Sequence, residues 1–225
     1  MWYLLATSLT ALSFNRYLAY CILSLTSFIG WGVNMLEFPA LIVIAAIVVC
    51  GVLVEFKHKH PPKTRYWLEG LYLFIALSLV LHLLPGFNNT KVLDAITIEP
   101  LSIPFSMHFN FDKALVPFVL LTGMSTLFVS KPLFKAGATR WGLLVLSVPA
   151  LLTIAVALGV LKVEPHAPQW FAQFALANVF FVSLAEEALF RGYLQQRLSQ
   201  ICHPLAALLI ASLVFGLMHD AGGHC

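Results

Sequence analysis

The chain has 225 residues, of which 60% are hydrophobic and only 10% are charged, whereas about a quarter of the residues are charged in ordinary soluble domains. This composition excludes a conventional water-soluble domain and predicts an all-α, polytopic transmembrane helical bundle. The net charge of +3 is spread over a few short cationic clusters. We therefore expect no nucleic acid partner, because nucleic-acid binding needs a continuous basic surface.

Apolar segments long enough to cross a membrane recur along the chain and predict about seven to eight spans. They cover approximately residues 2–14, 17–36, 38–54, 68–86, 114–129, 141–161, 170–190 and 204–218. The first segment is short, and it merges with the second if the number of spans is seven. No basic residue precedes it and no small-residue cleavage site follows it, so we expect a retained segment rather than a cleaved signal.

The charges between these segments predict their orientation. Residues 55–65 are rich in lysine and histidine, contain two prolines and should face the cytoplasm. Alternation then places 130–140 and 191–203 inside and 88–113 and 162–169 outside, in agreement with the basic and acidic residues that these loops contain. Within the long outer loop, residues 106–111 alternate between polar and apolar. A hairpin or an interfacial segment would explain this pattern, although a plain connector lying on the membrane is the interpretation that we favour.

Two adjacent carboxylates and an arginine, Glu186, Glu187 and Arg191, lie at the end of the seventh apolar segment. An ionisable group in the hydrocarbon region costs at least about 3 kcal/mol, so the pair predicts a functional site. On a helix, Glu187 and Arg191 share a face and can pair, while Glu186 points about 100° away, towards the side of Phe190. Because a poorly solvated carboxylate is a stronger base, Glu186 is suited to take a proton from water.

The alternative is a pair that snorkels at the cytoplasmic end of the helix, with Arg191 among the headgroups and both glutamates hydrated. A second polar position is His219, which shares a helix face with Phe215 in the last span. A single histidine at a helix end is more often interfacial or hydrogen-bonded than catalytic. Alternation also places His219 at the outer end of its span and the glutamates at the inner end. Only a tilted, broken or re-entrant helix would bring them together.

The run from Asn178 to Gln195 resembles the E-E-x-x-x-R motif of the CAAX prenyl protease and bacteriocin-processing (CPBP) family, and Phe215-Gly-Leu-Met-His219 resembles its F-x-x-x-H motif. The resemblance covers about residues 140–225, the expected catalytic membrane region, whereas residues 1–139 match only as N-terminal transmembrane helices. It implies an intramembrane endopeptidase with a water-filled cavity open to the cytosol. Glu186 would activate water, Glu187 and Arg191 would organise the site, and His219 would orient the water or stabilise the oxyanion.

The resemblance also implies a peptide or membrane-protein substrate in contact with membrane lipid, and we expect an integral protein of a bacterial inner (plasma) membrane. A third family motif, histidine followed four residues later by asparagine or aspartate, is not found in these 225 residues. We therefore expect a fragment of a longer enzyme. The alternative is a non-catalytic immunity or scaffold protein of the same fold, and a proton-coupled transporter ranks last.

We expect no obligatory cofactor. Zinc is the alternative, with Glu186, His219 and a histidine of the third motif as ligands. Three other polar residues are assigned structural roles. His82 should be hydrogen-bonded within the bundle, and Asn34 and Glu37 should lie at a tight turn between helices.

Overall fold

The computed structural model describes residues 1–53, 62–97, 104–124, 126–127, 137–163 and 168–221, and of residues 62–65 and 219–221 only the backbone. It is mostly helical, as predicted. The helices are α1 (Trp2–Ala11), α2 (Arg16–Gly32), α3 (Phe38–Leu53), α4 (Pro62–Val80), α5 (Phe111–Ala114), α6 (Val116–Gly123), α7 (Ala138–Ala157), α8 (Phe171–Leu198) and α9 (Pro204–Ala221). The strands are β1 (Thr90–Ile96) and β2 (Phe105–Phe109).

Each of the eight predicted apolar segments overlaps a helix, but their lengths differ from the prediction. Of the described helices, α7 and α8 are long and apolar enough to cross a membrane, whereas Phe38–Leu53, Tyr66–Val80 and Pro204–Met218 are shorter apolar helices. The number of spans therefore stays a prediction. Most of the two loops predicted to be cytoplasmic at 55–65 and 130–140 lies outside the described residues.

The first apolar segment does not merge with the second, because Asn15 caps a new helix. Its side-chain oxygen accepts hydrogen bonds from the backbone N–H groups of Tyr17 (3.0 Å) and Leu18 (3.2 Å). Such a cap stabilises a helix by about 1 kcal/mol. Helix α1 then packs against α2 with Leu5 and Leu9 buried in the core.

The outer loop contains an antiparallel hairpin, so the favoured interpretation as a plain connector is wrong. Strands β1 and β2 pair from Thr90 opposite Phe109 to Ile96 opposite Phe105, with two irregularities between them. Phe109 is buried, and its ring centroid lies 5.1 Å from that of Trp2 and 5.5 Å from that of Phe181. The alternating pattern was the correct signal, since its apolar positions turn inwards and fix the hairpin on α1 and α8.

A polar cluster around the buried carboxylate of Asp112 joins the end of α4 to the residues that flank the hairpin. His82 adopts a positive φ of 54° just beyond α4, and its Nδ1 lies 2.5 Å from Oδ2 of Asp112, which is 1% exposed. Asn89 donates to Oδ1 of Asp112 (3.1 Å) and accepts from the backbone N–H of Phe111 (2.9 Å). The predicted hydrogen bonding of His82 within the bundle is confirmed.

The turn between α2 and α3 also agrees with the prediction. Asn34 has a φ of 59°, in the left-handed region that asparagine tolerates better than most residues. The side chain of Asn88 donates to the carbonyl of Asn34 (3.1 Å) and to Oε1 of Glu37 (3.2 Å). These contacts fasten the loop before the hairpin to the helical bundle.

Candidate active site

Helix α8 carries both glutamates, and its backbone is not a uniform α-helix. Two π-helical stretches, Ala177–Ser183 and Glu187–Gln195, flank one α-helical turn at Leu184–Glu186. In π-helices the backbone hydrogen bonds run from i to i+5, and such turns occur often at functional sites. The sequence predicted an ordinary helix here, because periodicity in side-chain type does not reveal a locally widened turn.

Glu187 and Arg191 form the predicted ion pair. Nε of Arg191 lies 3.3 Å from Oε2 of Glu187, and the side chains are 72% and 51% exposed, respectively. An exposed pair of this kind stabilises a protein by only about 0 to 1 kcal/mol. The pair therefore contributes little to the stability of the fold.

A cavity of about 230 Å³ lies between α8 and α9 beside this pair. It is lined by Ser183, Glu186, Glu187, Phe190, Arg191 and Gln195 on α8 and by Leu208, Ala211, Ser212 and Phe215 on α9. Glu186 is half-buried and lies on the side of Phe190, as predicted. Glu187 also lines this cavity, so both glutamates border it, while Glu187 and Arg191 additionally line a second pocket beside Leu127.

Three polar residues that line the cavity, Ser183, Gln195 and Ser212, were not identified from the sequence. Their spacing does contain a signal. Ser183 precedes Glu186 by three positions, and Ser212 precedes Phe215 by three, which places each pair on one helix face. Extending the two motifs backwards by one turn would have found both serines.

The sequence predicted that the glutamates and the second motif lie at opposite ends of their helices. The observed length of α8 largely removes this difference. The prediction ended that span at residue 190, whereas the helix continues to Leu198. Glu186 is therefore well inside α8, and the rings of Phe190 and Phe215 meet at 5.0 Å, edge to face. Position 219 is helical and follows Phe215 by one turn. Its side chain lies outside the described residues, so the approach of His219 to Glu186 stays a prediction.

The other side of α8 is held by residues that come earlier in the chain. Glu69 on α4 accepts hydrogen bonds from Nε and Nη2 of Arg197, each at 2.5 Å. The side chain of Gln196 donates to the carbonyl of Thr126 (3.1 Å). Glu69 was missed in the sequence because a single glutamate within an apolar segment gives no indication of a partner 128 residues away.

The described residues contain no group of three or more histidine, cysteine, aspartate or glutamate side chains placed to hold a metal ion. At the cavity they supply two carboxylates, Glu186 and Glu187, and a zinc site would need at least one further protein ligand. Zinc binding therefore stays a prediction that depends on residues outside the described part of the chain.

Residues 168–223 match the family model of the type II CAAX prenyl endopeptidase Rce1-like proteins. The matched segment contains α8, both motifs and α9, and it confirms the resemblance that those motifs indicated. The family is a membrane-embedded protease family, which agrees with the two helices that are long enough to cross a membrane. No curated protein and no solved structure matches the chain.

Proposed function

We propose that this protein is an intramembrane endopeptidase that hydrolyses a peptide bond near the cytosolic face of a bacterial inner membrane. One observation carries the proposal. The cavity between α8 and α9 brings Glu186, Glu187 and Arg191 together within the segment that matches an endopeptidase family. Two carboxylates and a guanidinium around a void are suited to hydrolysis, which needs a base and a donor to the oxyanion.

Glu186 is the proposed base. Its carboxylate takes a proton from a water molecule in the cavity, and the water oxygen attacks the peptide carbonyl carbon to form a tetrahedral intermediate. When the C–N bond breaks, the same carboxyl group returns the proton to the leaving amine. A cavity of about 230 Å³ has room for several water molecules, each of which occupies about 30 Å³ in the liquid.

Arg191 is the proposed donor to the oxyanion. Its guanidinium borders the cavity and is oriented by Glu187, and such a fixed donor stabilises charge that develops in the transition state. The resemblance adds His219 as a second group that orients the water or the oxyanion. This assignment separates the two glutamates by role, although they line one cavity.

The proposed substrate is a peptide or the tail of a membrane protein, reached from the surrounding lipid. Helix α7 has no buried residue among its 20 positions, which is the pattern of a helix that faces hydrocarbon. Neither the cavity nor its lining favours a prenylated peptide over an unmodified one. Both kinds of peptide therefore belong in the test.

The test uses the full-length protein in proteoliposomes and a panel of quenched fluorescent peptides, half of them prenylated. Glu186→Gln should reduce the cleavage rate by about 100-fold or more, because it removes the proton acceptor while retaining the shape of the side chain. In water labelled with a heavy oxygen isotope, the new carboxylate should gain one labelled oxygen per bond cleaved.

Glu37→Gln is the matched control, because it makes the same chemical change at the turn between α2 and α3, where Glu37 contacts Asn88. Its cleavage rate should equal that of the wild type. Equal rates for Glu186→Gln and the wild type would remove Glu186 from the mechanism. A wild-type protein that cleaves no peptide of the panel would favour the non-catalytic scaffold.

A further inference from the structure

A partly buried ion pair between Glu69 on α4 and Arg197 on α8, whose side chain is 24% exposed, connects the helix of the candidate site to the first half of the chain. Glu69 on α4 is only 7% exposed, and both its carboxylate oxygens accept hydrogen bonds from Arg197 at 2.5 Å. The side chain of Tyr193, one turn earlier on α8, interacts with both partners. This is the bidentate arrangement that fixes a guanidinium in both position and direction.

Stability alone does not explain such a pair. Removing ions from water costs several kcal/mol per ion, and replacing a buried pair with apolar residues of similar size is often neutral or stabilising. A pair retained at this cost therefore suggests a requirement for a defined geometry. Loss of one partner alone, by contrast, leaves an unpaired buried charge and destabilises the fold by about 3 to 5 kcal/mol.

The pair lies next to the candidate site. Arg197 follows Gln195, the last residue of α8 that lines the cavity, by two positions. The π-helical stretch Glu187–Gln195 ends at that same residue. π-helical turns are rare and usually short, so a stretch of nine residues needs contacts outside its own backbone hydrogen bonds.

Two more contacts support the same part of α8. A Cβ atom at Gly192 would lie 2.8 Å from Cδ1 of Leu127, which shows how closely the chain packs on the helix. Gln196 exchanges two hydrogen bonds with Thr126. Of these contacts, only the ion pair involves two charged side chains. Its carboxylate, Glu69, lies on a helix outside the segment that matches the family.

We propose that Glu69 is a positioning residue for this site. Through Arg197 it fixes the rotation of the π-helical stretch, so that Glu187 and Arg191 face the same cavity as Glu186. The catalytic consequence rests on the proposed function, whereas the geometric consequence does not. Glu69 itself does not contact the cavity, and its effect passes entirely through α8.

The first experiment separates positioning from stability. In the double variant Glu69→Leu, Arg197→Met the buried charges are removed together, so the unfolding temperature should stay near that of the wild type. Its kcat should nevertheless fall by about 100-fold, since a displacement of about 1 Å can cost that much. KM should change little, and Glu37→Gln should again behave as the wild type. A double variant with wild-type kcat would overturn the proposal.

The second experiment does not depend on activity. Nitroxide labels on cysteines introduced at Ser183 and Ser212, which line the cavity from α8 and α9, report the separation of the two helices by electron paramagnetic resonance. The native cysteines are replaced beforehand. The double variant should change the spin–spin interaction, whereas Glu37→Gln should not. An unchanged spectrum in the double variant contradicts the positioning role, while failure of the wild type to cleave any peptide contradicts only the proposed function.

Discussion

Two polar clusters in this apolar protein differ in how far their paired charges are exposed and in what lies beside them. In the cluster beyond α4, Asp112 is 1% exposed and accepts from His82, Asn89 and the backbone N–H of Lys113. At the cavity, by contrast, the paired side chains of Glu187 and Arg191 are 51% and 72% exposed. In the first cluster the buried carboxylate is hydrogen-bonded by neighbouring protein groups, whereas the second cluster borders a cavity.

This difference assigns a structural role to the first cluster and a chemical role to the second. A buried network in which each member has a partner fixes one arrangement of the chain. A cluster beside a cavity can exchange its contacts with water or a substrate, which catalysis requires. Substitutions in the two clusters should therefore affect different measurements.

Of substitutions in these two clusters, Asp112→Ala should have a larger effect on stability than any change to the exposed pair of Glu187 and Arg191. It removes the acceptor of three donors, of which the His82 side chain is 35% exposed and can turn to water, and each donor that stays shielded and unsatisfied costs about 1 kcal/mol, so the free energy of unfolding should fall by about 2 kcal/mol. Chemical unfolding in detergent measures this loss. Asp94→Ala, which breaks an exposed pair with Lys91 on the hairpin, should cost less than about 1 kcal/mol. Equal losses would contradict the distinction between the clusters.

Gly192→Ala should have an intermediate effect. The new Cβ would lie 2.8 Å from Cδ1 of Leu127 and 3.1 Å from its carbonyl oxygen, and overpacking of this kind costs about 1 to 3 kcal/mol. The higher helix propensity of alanine returns up to about 1 kcal/mol, so we expect a net loss near 1 kcal/mol in the same unfolding assay.

The control for this change is Gly142→Ala on α7, where nothing lies within 4 Å of the new Cβ. It should stabilise the protein by up to about 1 kcal/mol, because only the propensity term acts. If both alanine variants stabilise the protein, the packing of α8 on residues 126–127 is looser than proposed, and the support of the site from that side is lost.

Local patterns in the sequence predicted much of this arrangement. The apolar segments predicted the helices, and the spacing of Glu187 and Arg191 predicted their ion pair. The alternation at residues 106–111 allowed the hairpin, although a plain connector was favoured. Each of these features depends on residues close together in the chain. A short stretch of sequence is therefore enough to predict each of them.

The features that were missed depend on distant contacts. The end of α8 was placed too early because Arg191 was assigned to a polar loop, whereas Arg197 is kept within the helix by Glu69 on α4. The π-helical stretches are likewise a response to packing rather than to local composition. No periodicity within α8 could reveal a contact with a residue so far away.

Glu187→Gln should have the smallest effect on stability. It therefore gives the clearest test of whether the cluster at the cavity serves chemistry rather than structure. The pair that it breaks is exposed, so the free energy of unfolding should change by less than about 1 kcal/mol. The cleavage rate should still fall by about tenfold or more, because a guanidinium without its partner samples directions that do not serve the oxyanion. Asp94→Asn breaks a second exposed carboxylate pair, with Lys91, and should leave cleavage unchanged. If Glu187→Gln destabilises the fold as much as Asp112→Ala, the pair is structural, and the division of labour between the two glutamates fails with it.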